Sequence, residues 1–137
     1  MTVKNKNLSG GLFAARPTPL TIRETPLSAQ IADYLDARNI YNDRLQCGKV
    51  KTEGGSWIHL CKSGTPDRFC IVRGQIIFIE VKMRGEKPAS EQLKQHEVLR
   101  GSGAIVIVAD EYFRFVAHFE AVRAAIETRK GGTQLYD

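Results

Sequence analysis

The sequence predicts an α/β fold with a central mixed β-sheet flanked by helices. Phe69-Cys70-Ile71-Val72 and Ile76-Ile77-Phe78-Ile79 are strand-length apolar runs parted by a short turn at Arg73-Gly74, the pattern of a hairpin of buried strands. Leu27, Ile31, Tyr34 and Leu35 recur at helical spacing. A further apolar run over 104–109 follows a helical stretch closed by Gly101-Ser102-Gly103, so helices and strands alternate as in layered α/β proteins.

Taken in order, residues 1–20 hold Gly10, Gly11, Pro17 and Pro19 without periodicity and read as a flexible arm. The first helix is expected from 25 or 26 to 38, with Thr25 as N-cap, Pro26 at the first helical position and Asn39 closing it. Residues 40–47 and 56–60 read as two strands around Glu53-Gly54-Gly55. Gly64-Thr65-Pro66 then breaks the chain before the two apolar strands, whose apolar residues on both faces imply a sheet covered on both sides. A helix over 90–100, flanked by Leu93, Glu97 and Leu99, precedes the buried strand 104–109. A weaker strand over 112–116, a last helix over 119–128 and a loose tail over 131–137 complete the order α-β-β-β-β-α-β-β-α, with residues 21–130 as the one folded domain.

With 137 residues, 42% of them hydrophobic and 26% charged, the composition is that of a globular domain and excludes wholesale disorder. No apolar run approaches the roughly 20 residues that span a bilayer, and Met1 to Lys6 lack the apolar stretch of a signal peptide. Cys47, Cys61 and Cys70 cannot all pair within one chain, which favours a soluble protein of a reducing cytoplasm. The net charge of +5 is concentrated: Lys4, Lys6, Arg16 and Arg23 lie in the first 23 residues, which contain no acid. Such an arm suits phosphate contacts, and equally a solvated terminus.

The chemistry is expected at Asp67, Glu80 and Lys82. With Arg73-Gly74 as a two-residue turn, Val72 faces Gln75, Ile71 faces Ile76, Phe69 faces Phe78, and Asp67 faces Glu80. Opposed residues share a face, so two carboxylates converge and repel at the open end of the hairpin. A divalent cation offsets that repulsion, since Mg²⁺ binds through one or two carboxylates and keeps its remaining positions for water and phosphate. Lys82, two residues beyond Glu80, falls on the same face. An ammonium there can hold a water and stabilise charge developing on a phosphate.

These residues resemble the motif of the PD-(D/E)XK nucleases: Pro66-Asp67, a gap of twelve residues, then Glu80-Val81-Lys82. Gly64-Thr65-Pro66-Asp67, a Gln in Ser90-Glu91-Gln92, and the helix-Gly-strand passage through Leu99-Arg100-Gly101 make the chain similar to the virus-type replication-repair (VRR-NUC) group over about residues 22–116. Glu24-x-x-Leu27 is similar to that family's first-helix Glu. The resemblance implies a restriction-endonuclease-like core and a Mg²⁺-dependent nuclease, with Mn²⁺ substituting. It implies Asp67, Glu80, the Val81 carbonyl and Glu24 as metal ligands, Lys82 as the residue orienting water, and Gln92 as support for the lysine or for a phosphate. It also implies a homodimer that acts on branched DNA, including four-way junctions, in a phage or bacterial setting. A general or nicking endonuclease on duplex DNA, or a silent nucleic-acid-binding module, is the alternative.

Other groups are weaker candidates. Cys47, His59, Cys61 and Cys70 contain zinc-ligand types without zinc-site spacing, and Cys70 belongs to an apolar strand. Lys49, Lys51 and Lys62, with Arg84 and Lys87, are expected to track a DNA backbone. Trp57 is expected in the core, with stacking on an unpaired base as its alternative. His96, near Gln92 on the second helix, reads as a partly buried surface residue, with contact to substrate as its alternative.

Overall fold

Residues 25–130 are described by the structure, a computed structural model; the arm over 1–20, Glu24 and the tail over 131–137 lie outside the described residues. Among the described residues nine elements follow one another: α1 (Pro26–Ala37), β1 (Asn42–Arg44), β2 (Lys49–Lys51), β3 (Trp57–His59), β4 (Arg68–Val72), β5 (Gln75–Val81), α2 (Ser90–Gly101), β6 (Ile105–Ala109) and α3 (Tyr112–Lys130). A four-stranded mixed sheet in the order β1-β4-β5-β6 forms the centre, with β5 and β6 parallel and the other neighbours antiparallel. Helices flank it, an arrangement consistent with a restriction-endonuclease-like fold.

The core lies on one face of this sheet. Cys70 and Val72 from β4, Ile77 and Ile79 from β5, and Ile107 and Ala109 from β6 are buried there against Ile31, Tyr34 and Leu35 of α1 and Phe115, Phe119 and Ile126 of α3. Alternation along each strand puts these residues on one side. Tyr34 meets Phe115 and Phe119 edge-on, with ring centroids 6.0 and 5.9 Å apart, and its hydroxyl donates to Glu120. Thr25 caps α1 as expected, its Oγ1 accepting the Ser28 N–H at 3.2 Å. The left-handed residue after the helix is Asn39, at φ +56°.

Three expectations need correction. The second face is covered only in part: α2 lies over the β5–β6 side, and Tyr41, Ile71 and Ile76 remain exposed. Strands 40–47 and 56–60 do not pair with each other. The first shrinks to β1, which joins the central sheet beside β4, while β3 pairs with β2 in a separate two-stranded hairpin. Lys-Val-Lys is too short and too charged to be read as a strand alone; cross-strand partners create it. Residues 112–116 are the first turn of α3 and not a strand. The Glu111 carboxylate accepts the N–H groups of Phe113 and Arg114 at 3.0 and 2.8 Å and so starts the helix.

Candidate active site

The β4–β5 turn falls where expected. Arg73 and Gly74 have φ of +48° and +80°, as a tight turn matching the strand twist requires. Val72 pairs with Gln75, Ile71 with Ile76, Phe69 with Phe78, and Arg68 with Ile79. Asp67 therefore arrives level with the end of β5, where its Oδ2 accepts the Val81 N–H at 2.8 Å. The Asp67 carbonyl accepts the Leu45 N–H at 2.8 Å, so its backbone belongs to the sheet while its side chain is exposed.

Glu80 has the opposite environment, with 1% of its surface exposed. Gln92 Nε2 donates to its Oε1 at 2.7 Å. Its Oε2 has no hydrogen-bond partner and lies 3.5 Å from His96 Nε2. Burial above all, and then the neighbouring Asp67 carboxylate, push the Glu80 carboxyl up to about 8, against the pull of Lys82. Burial, aided by Arg100 and Lys82, lowers the pKa of His96, so the facing ring is neutral at pH 7. Lys82 Nζ stands 4.0 Å from Glu80 Oε1 and 3.6 Å from Glu86 Oε1. Its charge is shared, and the two carboxylates of Asp67 and Glu80 are left short of positive charge.

Helix α2 supplies the inner wall. Gln92 and His96 are one turn apart and both reach Glu80. Gln92 is the third residue of the helix, and its Oε1 accepts the Ala89 N–H at 2.8 Å. That bond turns the amide nitrogen toward Glu80, the half of a capping box that an alanine cap allows. The Gly64-Thr65-Pro66-Asp67 loop is pressed against the same helix. Ser63 Oγ donates to Glu91 Oε2 at 2.6 Å, and a Cβ on Gly64 (φ +82°) would stand 2.5 Å from the Glu91 carbonyl oxygen. Glycine is required at that contact.

Asp67, Glu80, Val81, Lys82 and Gln92 thus converge in the structure, while Glu24 lies outside the described residues. Among the described residues there is no group of three or more His, Cys, Asp or Glu side chains that could hold a metal. A hard cation that needs only two carboxylates fits the donors present: Asp67 is exposed beside Glu80, and its charge adds to the burial that raises the Glu80 pKa. A zinc site at Cys47, His59, Cys61 and Cys70 is not formed among the described residues. Cys47 and Cys61 instead make a disulfide, and Cys70 is a buried free thiol.

His96 corrects the expectation of a partly buried surface residue: it is fully buried against Glu80, one turn beyond Gln92. Arg68 is buried too, its Nη1 donating to Ser28 Oγ at 3.2 Å and its Nη2 to Asn42 Oδ1 at 3.1 Å, tying β4 to α1 and β1. No sequence signal marks it. The basic residues Lys49, Lys51, Lys62, Arg84 and Lys87 are all exposed. Trp57 corrects the expectation of a core tryptophan: it is 63% exposed on β3. A cleft of about 350 Å³ opens beside Lys82, lined by Thr25, Pro26 and Leu27 at the start of α1 and by Met83, Arg84 and Asp110 among others.

Among described residues, no helix is long and apolar enough to cross a membrane. No family model matches the chain. Over 50 residues, 36% of the chain, it is 46% identical to the protein named "Putative nuclease p44" of Acyrthosiphon pisum secondary endosymbiont phage 1. That match spans 54% of the relative, about half its length, so the likeness is to part of a phage protein that carries a nuclease name.

Proposed function

We propose that the chain is a metal-dependent nuclease that hydrolyses DNA phosphodiester bonds. The observation that carries this reading is the meeting of Asp67, buried Glu80 and Lys82 at one strand end. The partial likeness to a phage protein named as a nuclease supports the coarse activity. The motif resemblance to the VRR-NUC group supports the finer one: branched DNA such as four-way junctions, cut by a homodimer in the cytoplasm of a phage or bacterial setting.

Asp67 and Glu80, with the Val81 carbonyl and Glu24, would hold Mg²⁺ or Mn²⁺. Bound there, such a cation would supply Lewis-acid charge for phosphodiester hydrolysis. The remaining work falls to the chain's own groups. Lys82 holds the attacking water beside the phosphate and offsets charge that grows there. Gln92 fixes the Glu80 carboxylate through its 2.7 Å bond, and the buried His96 ring keeps water from the inner side of that carboxylate. Lys49, Lys51, Lys62, Arg84 and Lys87 contact phosphates, which position the nucleic acid without reading its sequence.

The exposed apolar residues Tyr41, Ile71 and Ile76 on the open part of the sheet support a second copy as partner. Light scattering behind size exclusion is expected to give a dimer, and a monomer at working concentration overturns that part.

The central test compares wild type with Lys82→Ala on labelled four-way junction and matched linear duplex, each in Mg²⁺, Mn²⁺ and EDTA. Metal-dependent cuts, lost in the variant while junction binding persists, support the active site. Paired symmetric nicks confined to the junction support the branched-DNA preference. If both proteins bind and neither cuts in any metal, the catalytic reading is wrong. Independently of activity, Mg²⁺ is expected to raise the melting temperature of wild type and to leave that of Asp67→Asn unchanged.

A further inference from the structure

The β2–β3 hairpin stands apart from the central sheet and takes no part in the core. Its register pairs Lys49 with His59, Val50 with Ile58, and Lys51 with Trp57. Directly opposed residues share a face, so Lys49, Lys51, Trp57 and His59 lie together on one face, while Val50 and Ile58 lie on the other. Trp57 is 63% exposed, although a tryptophan left in water forgoes more burial than any other side chain could supply. Two lysines on the same face as that ring offer charge to a phosphate backbone, and an exposed indole offers a flat surface to a base.

The hairpin also starts and ends beside the candidate active site. Leu45 donates its N–H to the Asp67 carbonyl at 2.8 Å, and β2 opens four residues later. On the return side, Cys61 is joined to Cys47 by the disulfide, and the chain runs directly through Lys62 into Gly64-Thr65-Pro66-Asp67. Fully extended, the six residues from Leu45 to Lys51 reach at most about 22 Å. With the two cross-strand steps from Asp67 to Leu45 and from Lys51 to Trp57 added at about 5.5 Å each, Trp57 is within about 33 Å of Asp67, about ten nucleotides at ~3.4 Å along a strand.

We infer that the Lys49–Lys51–Trp57–His59 face is a stacking platform for an unpaired base of the nucleic-acid substrate, with Trp57 under the base and Lys49 and Lys51 on the flanking phosphates. The inference rests on the nuclease reading for the identity of its ligand and deepens it, because it names a substrate with an unpaired strand near the scissile bond. Base–aromatic stacking tolerates any base, so the platform selects for strand state and not for sequence. The lysines contribute attraction that salt screens, and the ring contributes attraction that salt leaves largely intact.

Trp57 is the single tryptophan of the chain, so its emission reports on the platform alone. The full chain is titrated in EDTA, where no cutting competes, with single-stranded oligothymidylate and with blunt duplex of equal length. Quenching by the single strand and little by the duplex is expected. By anisotropy of a labelled oligothymidylate, Trp57→Ala should bind roughly five- to a hundredfold more weakly than wild type. Trp57→Phe should recover most of that loss, which a purely structural role for the residue would not predict. Unchanged emission while the oligomer binds, or equal affinity of Trp57→Ala and wild type, overturns the inference. So does an emission maximum that moves to shorter wavelength as protein concentration alone is raised, which would mean that a second copy covers the ring. Cleavage by wild type in Mg²⁺ is scored separately: quenching without cutting upholds the platform and removes the nuclease, and cutting without quenching does the reverse.

Discussion

Glu80 stores a conflict that the surrounding residues do not resolve. It is buried, its Oε2 lacks a partner, and Asp67 adds like charge. Glu80→Gln keeps the shape and can still accept from Gln92, while the new amide can donate to the neutral His96 ring. In EDTA at pH 8, where the wild-type group is ionised in part, the variant is expected to be more stable by roughly 1–3 kcal/mol, the usual cost of a poorly satisfied buried polar group. Thermal melts check it, and cleavage in Mg²⁺ should be abolished in the same variant. Cys70 shows burial acting on a thiol: loss of solvent pushes it up to about 12. Only thiolate reacts, and a raised pKa keeps the thiol form at every pH below it. Native protein at pH 8 should therefore resist iodoacetamide at Cys70 and take up the label once unfolded, as read by mass spectrometry.

Individual elements are tuned by short contacts at their ends. Arg73 bears a positive φ without being glycine, a conformation that asparagine tolerates better in such turns. Arg73→Asn is expected to stabilise the hairpin by about 0.5–1 kcal/mol in urea denaturation. Gly64→Ala should do the opposite. The added Cβ meets the Glu91 carbonyl at a positive φ, and the substitution is expected to cost at least about 2 kcal/mol. It would also move the Asp67 loop off α2, so cleavage should fall further than stability does.

Legibility from sequence followed the same line between local and distant causes. The cap of α1, the Arg73-Gly74 turn and the β4–β5 register depend on residues close in sequence, and each was read correctly. The start of α3 was misread because Tyr112, Phe113, Phe115 and Val116 mimic a strand; the Glu111 carboxylate, which caps the helix, decided otherwise. The depth of Glu80 and the role of His96 needed the docking of α2, which no local pattern contains.

At the scale of the whole molecule, charge and cross-linking invite separate tests. Removing residues 1–20 takes away Lys4, Lys6 and Arg16. If all three meet phosphates, the slope of log affinity against log salt should fall by about 2.7, with Mg²⁺-dependent cutting retained. The Cys47–Cys61 disulfide implies one titratable thiol in denatured, unreduced protein and three after reduction, by thiol counting. The pair leaves Cys70 as the odd thiol, in line with the expectation that three cysteines cannot all pair within one chain.

The α/β class, the convergence of Asp67, Glu80 and Lys82, and the set of surface basic residues are all legible along the chain. Those follow from strand period, turn chemistry and composition, which act over a few residues. Tertiary structure alone decided that Asp67 is exposed and Glu80 buried, that Trp57 faces solvent, and that Cys47 meets Cys61. Burial and disulfide pairing depend on which distant elements pack together, and a pattern of neighbours along the chain does not encode them.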